Sequence, residues 1–266
     1  MKPIVEFLAM ILLPPLVMWA SSACVAGETD GVWTNLLALP LGARAHYSEA
    51  SGTKPEDVWS LTNGVLVCRG KPRGYLVLAE NQADFTLSLE WRRPEGVKPG
   101  KAGVLIRVTG PDKIWPRSLE AQLNAGAAGD FWGLGGFALS GPAERLSRAD
   151  HAQYGKLTNL KRAADAELPA GAWNRYEIEA RGGVVALRIN GAEVNRATDC
   201  DAADGRIVLT AEGDVIEFRD IRLLLAGLQP NGRSCAWSAR KASSKAESSP
   251  QKGHGNPASQ ASPGIP

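Results

Sequence analysis

The stretch AGVLIRVTGPDKIWPRSLEAQLNAGAAGDFW, Ala102 to Trp132, carries the period that decides the fold. Side chains alternate across a β-strand, so residues two apart share a face. In the first run Val104, Ile106 and Val108 fall on one side and Leu105, Arg107 and Thr109 on the other. In the second, Leu119, Ala121 and Leu123 oppose Glu120, Gln122 and Asn124. If the two strands are neighbours, Arg107 comes within reach of Glu120. The connecting residues add Asp112, Lys113, Trp115 and Arg117, and Asp130 and Trp132 follow.

The same period recurs along most of the chain. In DFTLSLEW, Phe85, Leu87, Leu89 and Trp91 make an apolar face against Thr86, Ser88 and Glu90. In VVALRINGAEVNRA, Asn190-Gly191 supplies the two positive-φ residues of a type I′ turn between alternating runs. Further strands are expected over 36–39, 64–69, 75–79, 103–109, 118–123 and 135–139, then over 173–181, 206–211 and 215–225. Short strands with Gly, Asn and Asp turns and no helical period predict an all-β, two-sheet antiparallel sandwich.

Composition narrows the function classes. The formal charge of +2 is unevenly spread. Between Thr29 and Leu228, 24 Lys and Arg meet 25 Asp and Glu, and the positive excess lies in the last 38 residues. A near-neutral folded part argues against nucleic acid as a partner. The WGLGGF run lacks the helix and the Lys-Ser/Thr of a phosphate loop. There is no GxSxG elbow, and no Cys/His spacing suited to zinc.

Residues 1–26 read as an export signal, with Lys2, an apolar run from Phe7 to Trp19, and small residues up to a cleavage point after Ala26. Pro14 and Pro15, in a run of under twenty residues, argue against a permanent membrane span. The expected location is therefore periplasmic or extracellular, with lipid on Cys24 as the alternative to simple cleavage. An oxidising compartment makes Cys200 and Cys235 the better pair for a disulfide and leaves Cys68 a buried thiol. Residues 29–228 form the expected domain. Residues 229–266, rich in Ser, Pro, Gly and Lys, read as a disordered basic tail.

The ordered pieces WSLTNGVLVCRG, YLVLAENQADFTLSLEWR, AGVLIRV, SLEAQL with GDFW, LPAGAWNRYEIEA, RINGAEVNRA and GRIVLTAEGDVIEFRDIRLL resemble the 3-keto-disaccharide hydrolase domain family. The resemblance implies a concanavalin A-like jelly roll and a carbohydrate partner. It implies an exported hydrolase or lyase acting on 3-keto-glycosides, by proton abstraction at C2 and loss of the C1 substituent. Two departures stand out. Lys101-Ala102 replaces the usual Asn-Ser before Gly103, and Glu212-Gly213 replaces a common His-Gly.

Such chemistry needs a base and an electrophile for the enolate oxygen. Glu120 is the candidate base. Arg107 is the candidate electrophile, with a divalent metal held partly by Asp130 as the alternative. Gln122, Arg117 and Asp130 are candidate substrate contacts, and Trp115 and Trp132 candidate sugar platforms. Glu212 ranks below Glu120, and His151 reads as surface. Each has a plainer reading: Glu120 as a solvated carboxylate, Arg107 as its structural partner, Asp130 as a turn former, the tryptophans as core. The rival to an enzyme is a non-catalytic carbohydrate-binding module or a surface-interaction domain.

Overall fold

The computed structural model describes residues 32–97 and 100–225. The proposed signal, Cys24, Cys235 and the basic tail lie outside the described residues. Among the described residues there are sixteen strands: β1 (Thr34–Asn35), β2 (His46–Ser48), β3 (Trp59–Thr62), β4 (Val65–Cys68), β5 (Gly74–Gln82), β6 (Phe85–Arg92), β7 (Gly103–Thr109) and β8 (Arg117–Gln122) in the first half. Then follow β9 (Phe131–Leu134), β10 (Leu146–His151), β11 (Gly155–Leu160), β12 (Asn174–Arg181), β13 (Val184–Ile189), β14 (Ala192–Ala197), β15 (Gly205–Ala211) and β16 (Ile216–Leu225). One four-residue helix, α1 (Pro55–Val58), precedes β3.

The strands form two antiparallel sheets. One runs β14-β13-β12-β6-β16-β4-β3, with β1 added along β16. The other runs β10-β11-β9-β8-β7-β15-β5-β2. Leu87, Leu89, Trp91 and Phe218 of the first meet Val104, Ile106, Leu119, Ala121 and Leu209 of the second in one core. Each such side chain contributes roughly 1.5–3 kcal/mol by leaving water. Asn190 and Gly191 both have positive φ, as the hairpin sequence requires. Cys68 and Cys200 are buried thiols, pushed up to about 12 by burial. Among the described residues no helix is long and apolar enough to cross a membrane.

The second sheet positions the site because its outer face is also covered. Tyr75, Val77, Leu105, Val108, Trp115, Leu134, Leu157 and Val208 form a separate apolar cluster there, with Tyr47, Trp132 and Tyr154 packed on it. Val108 was expected on the core side with Val104 and Ile106. A register shift between Ile106 and Thr109, centred on Arg107 at φ 52°, reverses the alternation beyond Ile106. One extra residue in a strand does this by re-aiming every side chain after it.

Candidate functional site

Register fixes which side chains meet. Leu105 pairs with Glu120, and Glu120 with Trp132, so Glu120 stands on the outer face. Gln122 lies two residues along, opposite Gly103, on the same face. On β15 the same alternation carries Val208 and Thr210, and the next residue in it is Glu212, just past the strand end. Between them runs β7, where Gly103 offers no side chain. A Cβ there would lie 2.5 Å from Glu120 Oε1. The Thr210 hydroxyl accepts the Gly103 N–H at 2.7 Å and fixes β7 against β15. The Tyr176 hydroxyl reaches from the opposite sheet to donate to the Gln122 carbonyl at 2.9 Å.

Glu120 is therefore on the expected face but not solvated: its exposure is 0%, and neither carboxylate oxygen has a hydrogen-bond partner among the described residues. Burial first, then the negative charge of Glu212 and of Asp130, push its carboxyl well above the usual range; Lys101 pulls the other way. The Glu212 carboxyl is also raised, chiefly by burial, against the nearby Thr210, Trp115, Lys101 and Arg73. Thr210 and Trp115 lie close without completing a bond of normal geometry. The Thr210 hydroxyl is committed to Gly103, and both Glu212 oxygens and the Trp115 indole N–H lack partners. Two neighbouring buried carboxyls cannot both ionise cheaply, so each raises the cost of ionising the other.

The tryptophans cap this pair. Trp115 is 7% exposed and meets Tyr154 edge-on at 4.3 Å between centroids. Trp132 is partly exposed, but its indole N–H is buried and unpartnered. His151 is more than surface decoration. Its ring stacks on Tyr154 at 4.4 Å, and its Nδ1 accepts the Gln153 and Tyr154 N–H groups.

One sequence-based assignment is corrected, and two more candidate side chains have structural partners. Arg107 does not serve Glu120. Its bulged backbone sends the guanidinium to the Ala83 carbonyl at 3.0 and 2.8 Å and to the Asp201 carbonyl at 2.6 Å. It is fully buried and ties the β5–β6 turn to the segment before β15. Arg117 pairs with Asp201 at 2.6 Å, and the same carboxylate oxygen accepts the Ala138 N–H. Asp130 accepts the Arg162 N–H at 2.9 Å and holds its loop, the turn-forming role. It still adds negative charge near Glu120. Among the described residues no three His, Cys, Asp or Glu side chains converge as a metal site needs. The metal alternative finds no donor set there.

What sequence reasoning undervalued is Glu212, together with Gly103, Lys101, Tyr75 and Tyr154. The alternation Val208, Thr210, Glu212 was the available signal.

The comparisons agree with this fold. The sequence model of the 3-keto-alpha-glucoside-1,2-lyase-like domain matches residues 44–224. The chain belongs to that family. The match begins before β2 and ends within β16, so Glu120 and Glu212 both lie inside the family domain. Among solved structures, the κ-carrageenase of Pseudoalteromonas carrageenovora, crystallised with an oligotetrasaccharide of κ-carrageenan, is 8% identical, with TM-score 0.50 over 77% of this chain and 99% of its own. A candidate glycosyl hydrolase from Parabacteroides distasonis is 19% identical, with TM-score 0.49 over 72% of this chain and 98% of its own. The carbohydrate-binding module CBM66 of Bacillus subtilis is 14% identical, with TM-score 0.47 over 74% and 98%. At 8% identity the likeness to the κ-carrageenase is one of fold alone. No curated protein matches the chain.

Proposed function

We propose that the chain is a carbohydrate-active enzyme that cleaves 3-keto-glycosides by elimination. One observation carries this reading. Nine buried side-chain polar atoms lack partners among the described residues, and six of them are the carboxylate oxygens of Glu120 and Glu212 and the indole nitrogens of Trp115 and Trp132. An unmet buried polar atom costs roughly 1–3 kcal/mol. Six on one sheet face make a cluster of donors and acceptors suited to a polyhydroxylated ligand.

The chemistry follows from one proton held between two carboxyls. Ionised Glu120 takes the C2 proton, which the C3 ketone acidifies. The electron pair passes into the enolate and returns to form the C1–C2 double bond as the C1–O bond breaks. Protonated Glu212 gives its proton to the departing oxygen. The pair ends with one proton, now on Glu120, and resets when that proton returns to Glu212. Water added across the double bond completes net hydrolysis. The electrophilic role assigned to Arg107 on sequence passes to the Trp115 and Trp132 N–H groups, supported by the charge of Lys101. The family departures acquire roles together: Lys101 faces the pair, and Glu212 is its second acid.

Complete burial of Glu120 favours a second reading, a carbohydrate-binding module whose acid pair is structural. Incubation with a panel of 3-keto-glycosides and their unoxidised parents, with and without chelator, separates the two. The enzyme reading expects release of the C1 substituent from the ketones alone. Binding of sugars with no release from any ketone supports the module. Export, with cleavage after Ala26 or lipid on Cys24, belongs to the same proposal; the intact mass of secreted protein tests it.

A further inference from the structure

A cleft of about 310 Å³ opens beside the carboxyl pair on the same sheet face. Tyr47, Trp115 and Tyr154 line it with aromatic surface, and Arg73, Lys113 and Glu49 line it with charge. Trp115 is the shared wall: the cleft is on one side, and Glu212 is close to its indole N–H. Only the Trp115 side chain lies between a group in this cleft and Glu212.

The polar groups are unevenly matched. Glu49 accepts from Arg73 through both oxygens, at 2.9 and 2.8 Å, so the carboxylate in the lining is already engaged. Lys113 has no ion-pair partner among the described residues, while its neighbour Asp112 accepts from Tyr75 and Arg206. Two cations and one carboxylate leave an excess positive charge. Beyond Gln153 and the two tyrosine hydroxyls, the polar groups of the lining are cationic or already paired. A flat ring carrying an anion offers an apolar face to the aromatics and acceptors to Lys113.

Building on the reading above, we infer that this cleft is the leaving-group subsite and that it takes an aromatic acid as the C1 substituent of the 3-keto-glycoside.

The probe is 4-hydroxybenzoate, whose binding is read by tryptophan fluorescence and by calorimetry on the full chain. It should bind wild type and Glu120→Gln alike, and at least fivefold more tightly than phenol. Lys113→Gln should remove that preference, and Lys113→Glu should reverse it; Lys113 is exposed, so neither threatens the fold. Equal affinity for phenol and 4-hydroxybenzoate, or an unchanged preference in both Lys113 variants, overturns the subsite. Turnover separates it from the parent reading. If methyl 3-keto-glucoside is cleaved while 4-hydroxybenzoate fails to bind, the subsite is wrong and the enzyme reading stands. If the acid binds as stated while no 3-keto-glycoside is cleaved, the aromatic-acid site stands and its leaving-group role falls.

Discussion

Glu120 of β8 and Glu212 just past the end of β15 lie on one sheet face, on either side of the bare backbone of Gly103, and burial together with their mutual repulsion raises the Glu120 carboxyl. Neither carboxyl has a hydrogen-bond partner among the described residues. The account of function rests on that pairing.

The pairing sets a pH dependence. A carboxyl raised in the folded state keeps its proton there after the unfolded chain has lost it. Stability is then greatest at low pH and falls as pH climbs from the ordinary carboxyl range through the raised folded values. Lys101 and Arg73 moderate the fall; Asp130 adds to it. Glu120→Gln should flatten the curve and raise the thermal midpoint at pH 8 above that of wild type. A variant that melts lower than wild type at pH 8, with an unchanged slope, is incompatible with a raised Glu120.

Gly103 should resist even one added carbon. Gly103→Ala places a Cβ 2.5 Å from Glu120 Oε1 and 2.9 Å from its Cγ. The expected outcome is a folded protein with little activity, because the carboxyl must swing off the pair. Circular dichroism and turnover, measured together, check it; activity within twofold of wild type contradicts the geometry.

Arg107 should matter for stability rather than chemistry. Arg107→Met leaves the Ala83 and Asp201 carbonyls without their donors, at roughly 1–3 kcal/mol each. Denaturant unfolding should show that loss, while kcat per folded molecule stays near wild type. A stable variant with lost kcat would return Arg107 to the site.

Much of the sandwich was readable because alternation survives where one face is buried. Phe85, Leu87, Leu89 and Trp91 are all fully or nearly fully buried. The β10–β11 hairpin escaped notice because β10 is a sheet-edge strand without a buried face, so its residues carry no apolar period. Leu36 and Leu37 are buried in a turn rather than a strand, and the expected strand over 135–139 breaks at Gly135 and Gly136, both with positive φ. The site was half readable. Parity placed Glu120 and Gln122 correctly, but a parity count carries no bulge, so Arg107 was assigned a face that its backbone leaves. Glu212 sat beyond the end of its strand, where alternation has no later residue to confirm it.

The central claim is that Glu120 removes the proton at C2. Its most direct test is exchange of that proton for deuterium in methyl 3-keto-glucoside, followed by NMR in D2O. Wild type should speed exchange or elimination at C2 well above the buffer rate, and Glu120→Gln should slow it by about 10²–10⁴-fold. Equal rates for wild type and Glu120→Gln, both above buffer, would contradict the assignment.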